Sequence, residues 1–371
     1  MKDFIMTQRI ITSFIALSLL AATPAWGQTT VIKRTATQKT SQGKAGGQWY
    51  YGYSFSEGLA RVANRNYKDG FVNKAGQQVI QCKWSEAGAF SEGLAWVIDN
   101  KDEYKYSPKN KYGYIDKSGK LAIPFTWKRA WSFSDGLALV QDDNEKYGFI
   151  DKSGNIVIPC KWKSAKSFSE GMAAVKDDKD KMGFIDKAGS VVIPCEWYAV
   201  GQFSEGLASV RQSKYGDTGF VDKSGTLIIP CKWHVPIGNH SFSEGLFAVM
   251  DDKYKKGFID RDGNVVIPCK WSDTWDFSEG LAAVQENGKW GFIDKEGNLV
   301  VSCRWKKAWP FSDGMALVQD DSDKFGYINK AGTLAIPCKW KNGTDFSDGL
   351  AWVRDSSHWW HIINKQGQIV K

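Results

Sequence analysis

The stretch Phe133-Ser134-Asp135-Gly136-Leu137-Ala138-Leu139-Val140, then Tyr147-Gly148-Phe149-Ile150-Asp151-Lys152-Ser153-Gly154, then Asn155-Ile156-Val157-Ile158-Pro159-Cys160-Lys161-Trp162, decides the fold. Gly136 to Val140 is a short apolar run after a glycine turn and predicts a strand. Gln141 to Lys146 is polar and predicts a hairpin loop. Tyr147 to Ile150 predicts a second strand. Asp151 to Gly154 predicts a turn, with Asp at its first position and Gly where a left-handed backbone is needed. Asn155 to Trp162 predicts a third strand, with Ile156, Ile158, Cys160 and Trp162 on one face and Val157, Pro159 and Lys161 on the other. The unit reads as a three-stranded antiparallel meander. Lys163 to Phe168 crosses to the next unit, with room for a short fourth strand.

The unit recurs. Phe-Ser-(Glu/Asp)-Gly-(Leu/Met) starts at Phe55, Phe90, Phe133, Phe168, Phe203, Phe242, Phe277, Phe311 and Phe346, in steps of 34 to 43 residues. Gly-(Phe/Tyr)-(Ile/Val)-(Asp/Asn)-(Lys/Arg) follows the first eight; the ninth carries His361-Ile362-Ile363-Asn364-Lys365 instead. Pro124, Pro159, Pro194, Pro230, Pro268 and Pro337 hold one place in the third strand. Proline cannot donate to a ladder, so this strand should be a sheet edge. In a β-helix the same prolines would stack in register and break the pairing between rungs. Separate small sheets packed face to face fit better, because both strand faces carry apolar side chains. The fold class is therefore all-β, a tandem array of nine three-stranded antiparallel meander repeats, with a propeller-like ring preferred to an open superhelical array. Trp49 stands six residues before Phe55, as Trp84 does before Phe90, so the N-terminal end supplies the close of a third-strand motif. Ile369-Val370-Lys371 supplies its beginning, an arrangement by which rings close.

The pattern Phe-Ser-Glu-Gly-Leu-Ala-x-Val, aromatic-Gly-Phe-Ile-Asp-Lys-x-Gly and Val-Ile-Pro resembles the bacterial WG-repeat proteins over about Trp49 to Lys371. Within the repeats the Trp-Gly pair of that family occurs once, as Trp290-Gly291; other units place Tyr112, Tyr147, Met182, Thr218, Lys256 or Phe325 before the glycine. The resemblance implies a β-repeat scaffold of varying copy number and carries over no catalytic residue.

Residues 1–27 read as a signal peptide: Lys2 and Arg9, a short apolar run from Ile10 to Ala22, then small residues at Ala25 and Gly27. Residues 28–48 read as a flexible leader, and 49–371 as the repeat domain of nine units. The expected location is outside the cytoplasm, periplasmic or extracellular, with no transmembrane segment in the mature chain. The net charge of +8 is concentrated before the repeats, at Lys33, Arg34, Lys39 and Lys44. The repeats are nearly neutral, which argues against nucleic acid as a partner.

Repetition itself assigns roles. Cys82, Cys160, Cys195, Cys231, Cys269, Cys303 and Cys338 share one position, where Phe125 takes the eighth place. Phenylalanine replaces an apolar residue, not a ligand, so buried free thiols are expected and no metal site. Asp116, Asp151, Asp186, Asp222, Asp260 and Asp294 alternate with Asn73, Asn329 and Asn364, which suits a turn hydrogen bond. The acid after Phe-Ser, from Glu57 to Asp348, is expected to bond backbone amides within its turn. The pairs Asp142-Asp143, Asp177-Asp178, Asp251-Asp252 and Asp320-Asp321 lack a calcium-loop pattern. No nucleophile, base and oxyanion hole assemble, so no catalytic residues and no cofactor are expected.

The departures from the repeat remain. Trp96 and Trp352 fill a first-strand position held elsewhere by residues as polar as Arg61 and Ser209, which predicts partial exposure. Trp131, Trp275 and Trp309 sit in the crossover. Exposed aromatics on a rigid scaffold contact partners or sugars, so these five tryptophans are the candidate ligand-binding residues, with local packing as the competing role. Two insertions, Asp99 to Asn110 and His234 to Ser241, could carry specific contacts. The expected function is a binding scaffold for a protein or cell-envelope glycan. The alternatives are an envelope hydrolase or lyase using acids in a central channel, and a purely structural surface protein.

Overall fold

The computed structural model describes residues 49–98, 110–235 and 240–370. The signal peptide, the leader, residues 99–109 of the first insertion and residues 236–239 of the second lie outside the described residues.

The described residues form nine small antiparallel sheets and no helix. In the third unit the order is Arg129–Ser134, Leu137–Gln141, Tyr147–Ile150 and Ile156–Trp162, each strand paired with the next in sequence. The crossover thus adds an inner strand to the three expected; counted outward it is the first strand, and Leu137–Gln141, Tyr147–Ile150 and Ile156–Trp162 become the second, third and fourth. It is long in three units and only two residues in units such as the fourth, at Ser164–Ala165. The proline-bearing strand is the outer edge of its sheet in every unit that has it. Exposed Val157 and Ile156 show that this edge faces solvent.

The glycine of the second motif is required by a close approach. The outer strand bulges between the partners of Tyr147 and Phe149. A Cβ on Gly148 would lie 2.5 Å from the Ile158 carbonyl and 2.8 Å from Cys160 Sγ. The ninth unit carries His361 there, and the described part of its outer strand is limited to bridges from Trp49 to Trp360 and from Ile369 to Ile363. Both ends of the described chain thus meet on one sheet.

Nine hydrophobic cores lie between consecutive sheets. One typical core joins Leu137, Phe149, Ile158 and Trp162 of the third unit to Phe168, Ala173 and Ile185 of the fourth. The ninth joins Trp352, Trp360, Ile362 and Trp49 of the ninth sheet to Phe55, Val62 and Val72 of the first. Nine cores for nine units mean that the array is closed, a nine-bladed β-propeller. The open superhelix is excluded, and no blade exposes a bare packing face.

Trp49 and Trp162 hold equivalent places in that ring. Truncating either removes a buried indole, so Trp49→Ala and Trp162→Ala each lower unfolding free energy by about 3–5 kcal/mol in denaturant titrations. A Trp49→Ala protein of unchanged stability would contradict closure.

Candidate functional site

The repeated polar residues are consumed by the ring. Each Phe-Ser-acid-Gly segment is a two-residue hairpin turn with both central residues at positive φ, such as Glu170 at 53° and Gly171 at 83°. This is the backbone that matches strand twist in tight hairpins. A glutamate there is strained, since left-handed backbone disfavours a Cβ. Its side chain shows what offsets the strain. It does not bond within its own turn, as the sequence suggested, but reaches the next blade. Glu170 accepts from the Gly206 amide at 2.9 Å, and Glu57 from Gly93 at 3.0 Å. The same bond recurs in all nine blades, including Gly58 to Asp348 at 3.0 Å across the closure. The serine beside each acid donates to the next blade's phenylalanine carbonyl at 2.7 Å, from Ser56 to Phe90 round to Ser347 to Phe55. Burial pulls Glu57 upward, but Lys117 and the Gly93 and Glu92 amides outweigh it and hold the carboxyl below its usual range.

The other acids are likewise engaged. Asp151 Oδ1 accepts from the Ser153 and Asn155 amides, both at 2.9 Å, as the Asp/Asn alternation implied. The first aspartate of each pair caps a hairpin: Asp177 accepts from Lys179 and Lys181. In three of the four pairs the second aspartate pairs with the preceding blade, as Asp178 does with Lys146 at 2.6 Å and Asp143 with Lys111, whereas Asp252 lies 3.8 Å from His234 of its own blade. The seven cysteines are free and half-buried rather than fully buried. Burial, and an aspartate beside each, pushes the Cys82, Cys160 and Cys338 thiols up to about 11. They are poor nucleophiles at neutral pH.

The five tryptophans occupy one equivalent space in five different blades. The inner-strand residue two before each motif phenylalanine lies across from a second-strand residue of its own sheet. Gly88 faces Trp96, Thr344 faces Trp352 and Gly201 faces Ser209, each pair joined by a backbone hydrogen bond. Where the second strand carries tryptophan, the inner strand is small; where the inner strand carries Trp131, Trp275 or Trp309, the second offers Leu139, Ala283 or Leu317. A Cβ on Gly88 would fall 2.2 Å from the Trp96 indole, which leaves no room for both.

The partial exposure expected of Trp96 and Trp352 is therefore not found. Trp96 is 9 % exposed and Trp352 is 0 % exposed. Trp352 also has a closure role. The ninth unit has Ile362 where the others place a ring against the next blade's phenylalanine, as Phe149 does against Phe168 at 4.7 Å. Trp352 stacks on Phe55 at 6.4 Å instead and lies over Gly52, where a Cβ would sit 2.3 Å from its ring. The glycines opposite were the sequence signal for this burial. Trp131, Trp275 and Trp309 are half-buried on or beside inner strands; Trp131 packs on Tyr147 and Trp309 on Phe325, both at 5.7 Å.

Other inner-strand departures are polar. His240 Nδ1 lies 2.6 Å from Asp276 Oδ1, and Lys166 donates to the Val200 carbonyl at 3.0 Å. The Asp345 main-chain carbonyl accepts from Thr344 Oγ1 at 3.1 Å, but its carboxylate accepts no hydrogen bond from any described residue, and burial pushes that carboxyl up to about 6.

Sequence reasoning missed a second cluster, at the closure between the ninth and first units. In the third, fourth and eighth blades the lysine after the motif tryptophan pairs with the acid at the hairpin tip, as Lys128 does with Glu145, Lys163 with Asp180 and Lys306 with Asp323. In the first unit these positions are Tyr50 and Tyr67, whose hydroxyls lie 3.2 Å apart and whose rings meet edge-on at 5.0 Å. Between blades, the Lys146–Asp178 position becomes Trp359 with Arg65 stacked over it at 4.6 Å. Tyr51 meets Tyr50 edge-on at 4.9 Å. Tyr50, Tyr51, Arg354 and His358 line a shallow cavity of about 280 Å3. A comparison of matched positions, rather than a search for tryptophan, would have found it.

Asp345 gives a testable consequence. Its folded pKa lies above the unfolded value, so ionisation opposes folding: the penalty is absent below pH 4, grows as pH rises through 6 and is complete above it. Asp345→Asn therefore stabilises the protein at pH 7.5 by about 2–3 kcal/mol and leaves it unchanged at pH 4, as read by thermal unfolding at the two pH values.

Comparison with known proteins bears on the repeat and the fold. The profile of the family described as "WG containing repeat" matches residues 70–101, 112–146, 147–179, 182–215, 219–254, 257–290, 290–322 and 325–359. No curated protein matches the chain. Among solved structures, BamB from Moraxella catarrhalis is similar at 10 % identity and TM-score 0.45, over 72 % of this chain and 90 % of that one. AztD from Citrobacter koseri is similar at 12 % identity and TM-score 0.40, over 85 % of this chain and 91 % of the other.

Proposed function

The chain belongs to the WG-repeat family, and from that premise we propose that it is an exported scaffold that binds a protein or cell-envelope glycan and catalyses no reaction. One observation carries the reading: the two ends of the ring differ in what their residues are free to do. At one end, the nine Ser-acid-Gly turns and the Asp/Asn turns are committed to each other and to the neighbouring blade. The opposite end holds the crossovers and the loops between second and third strands. Both insertions, after Ile98 and after Trp233, are of these two kinds. So are the aromatic substitutions at the closure. Variation collected at one end of a rigid ring is how scaffolds present specific contacts.

The acids of the repeat support binding over hydrolysis or lysis, because their lone pairs are spent on amides and lysines. The half-buried Trp131, Trp275 and Trp309 retain surface for a partner, whereas Trp96 and Trp352 act as filling. The purely structural alternative would not need a face of irregular residues.

Export is part of the reading, resting on the order of charge, apolar run and small residues before Gln28. Recovered from the envelope fraction of a bacterial host, the protein is predicted to have an intact mass lacking residues 1–27; full-length mass in the cytoplasm contradicts export. For binding, the mature ring is applied to an envelope-glycan array and photo-crosslinked to envelope proteins from probes at Trp309 and at Lys152. Capture from the Trp309 probe or the array, reduced at least tenfold by Trp131→Ala with Trp309→Ala, is the expected result. Capture only from Lys152, at the committed end, contradicts the assignment of the face, and no capture at either contradicts binding.

A further inference from the structure

The cluster at the ring closure has the composition of a ligand site, and its chemistry is specific. Its aromatic surface is open: Tyr50, Tyr51 and Tyr67 are 37 %, 40 % and 60 % exposed. Its charge is positive. Arg354 lines the cavity and has no acceptor for its guanidinium among the described residues; its Nε is buried without a partner. Arg65 is likewise held only by stacking on Trp359. The nearest carboxylate in sequence, Asp355, is fully engaged: Oδ1 takes the Ser357 and Trp359 amides, and Oδ2 lies 2.8 Å from His361 Nε2. At the matching places in the third, fourth and eighth blades, lysines and acids neutralise one another. Here both members of each pair have been replaced, leaving two cations without anions beside three exposed phenol rings.

We propose that this cavity binds an anionic saccharide, one carboxylated sugar residue of a uronate-type glycan. This rests on the reading of the ring as a binding scaffold and assigns it a ligand class. Three features select that ligand. The cavity, at about 280 Å3, is at the small end for ligand sites and takes one sugar-sized group rather than a nucleotide. Guanidinium matches carboxylate in planar, paired hydrogen bonds, so Arg354 supplies the anion contact. Tyrosine offers an apolar ring face with a polar rim, which suits a sugar's C–H face and hydroxyls together. The site is open at one side, so a residue within a longer chain can enter. Because the closure occurs once per ring, the stoichiometry is one site per protein, although the scaffold has nine repeats.

The test is isothermal titration of the mature ring with an oligogalacturonate and with a neutral malto-oligosaccharide of the same length, plus inorganic phosphate. The expected result is one oligogalacturonate site per chain, weakened by salt, with neutral oligomer and phosphate at least tenfold weaker. Arg354→Met and Tyr51→Ser each reduce affinity at least tenfold. Tyr51 is exposed and Arg354 lies over the core Trp360 ring at 5.9 Å, so thermal unfolding of both variants serves as the control for folding, and Tyr215→Ser, at an exposed site elsewhere, leaves binding unchanged. Equal binding of the neutral oligomer overturns the charge assignment. Oligogalacturonate binding that survives both variants overturns the location. No oligogalacturonate binding overturns the proposal, and if the Trp309 probe still captures a partner, the scaffold reading stands without it.

Discussion

Every blade is held to the next by the same three-residue device. A serine hydroxyl reaches the next blade's phenylalanine carbonyl, and an adjacent carboxylate reaches the next blade's glycine amide. Both groups come from a tight turn whose acid occupies left-handed backbone. Relieving that strain with a second glycine would remove the side chain that makes the contact. The bond therefore explains why a residue ill-suited to the conformation is retained in nine copies. Each such bond contributes on the order of 1 kcal/mol, more for those to a carboxylate. Their larger effect is geometric, because they fix the angle at which successive apolar faces meet. Burial of Phe, Ile, Val and Trp between the faces then supplies most of the stability.

Closure imposes a second constraint. A ring must join its first and last units, and here the outer strand of the ninth blade is divided between Trp49 and Ile369. The surrounding residues follow from this. His361 occupies a place that glycine must hold wherever an intact outer strand presses on it. Ile362 replaces a phenylalanine, Trp352 restores the lost volume, and Gly52 makes room for Trp352. On the surface, the ion pairs seen in the third, fourth and eighth blades give way to tyrosines and an arginine–tryptophan stack. The unique chemistry of the molecule is thus located by its topology.

Much of this was legible in the sequence. Period-two apolar patterning, the in-register prolines and the displaced Trp49 gave the sheets, their exposed edge and the ring. The Asp/Asn alternation gave the turn bonds. What the sequence did not reveal was direction and pairing. Nothing local in Phe-Ser-Glu-Gly tells whether the glutamate bonds its own turn or the next, since the answer depends on the spacing of blades. The tolerance of Arg61 and Ser209 suggested exposure for Trp96, but the glycine at position 88 was the relevant partner, and the pairing of the two emerges only once the inner strand is in place. The closure cluster escaped because tyrosine and arginine are unremarkable singly and become a site only when two chain ends are brought together.

The bond from the Gly58 amide to Asp348 is the member of the nine-fold set that exists only if the ring closes, and amide hydrogen exchange reads it directly against eight internal standards. The account predicts that Gly58 exchanges as slowly as Gly93, Gly171 and the other turn glycines. It also predicts that Asp348→Ala frees Gly58 alone, as Glu57→Ala frees Gly93. Free exchange at Gly58 in the unaltered protein, with the other eight protected, would show an open array and contradict the central claim.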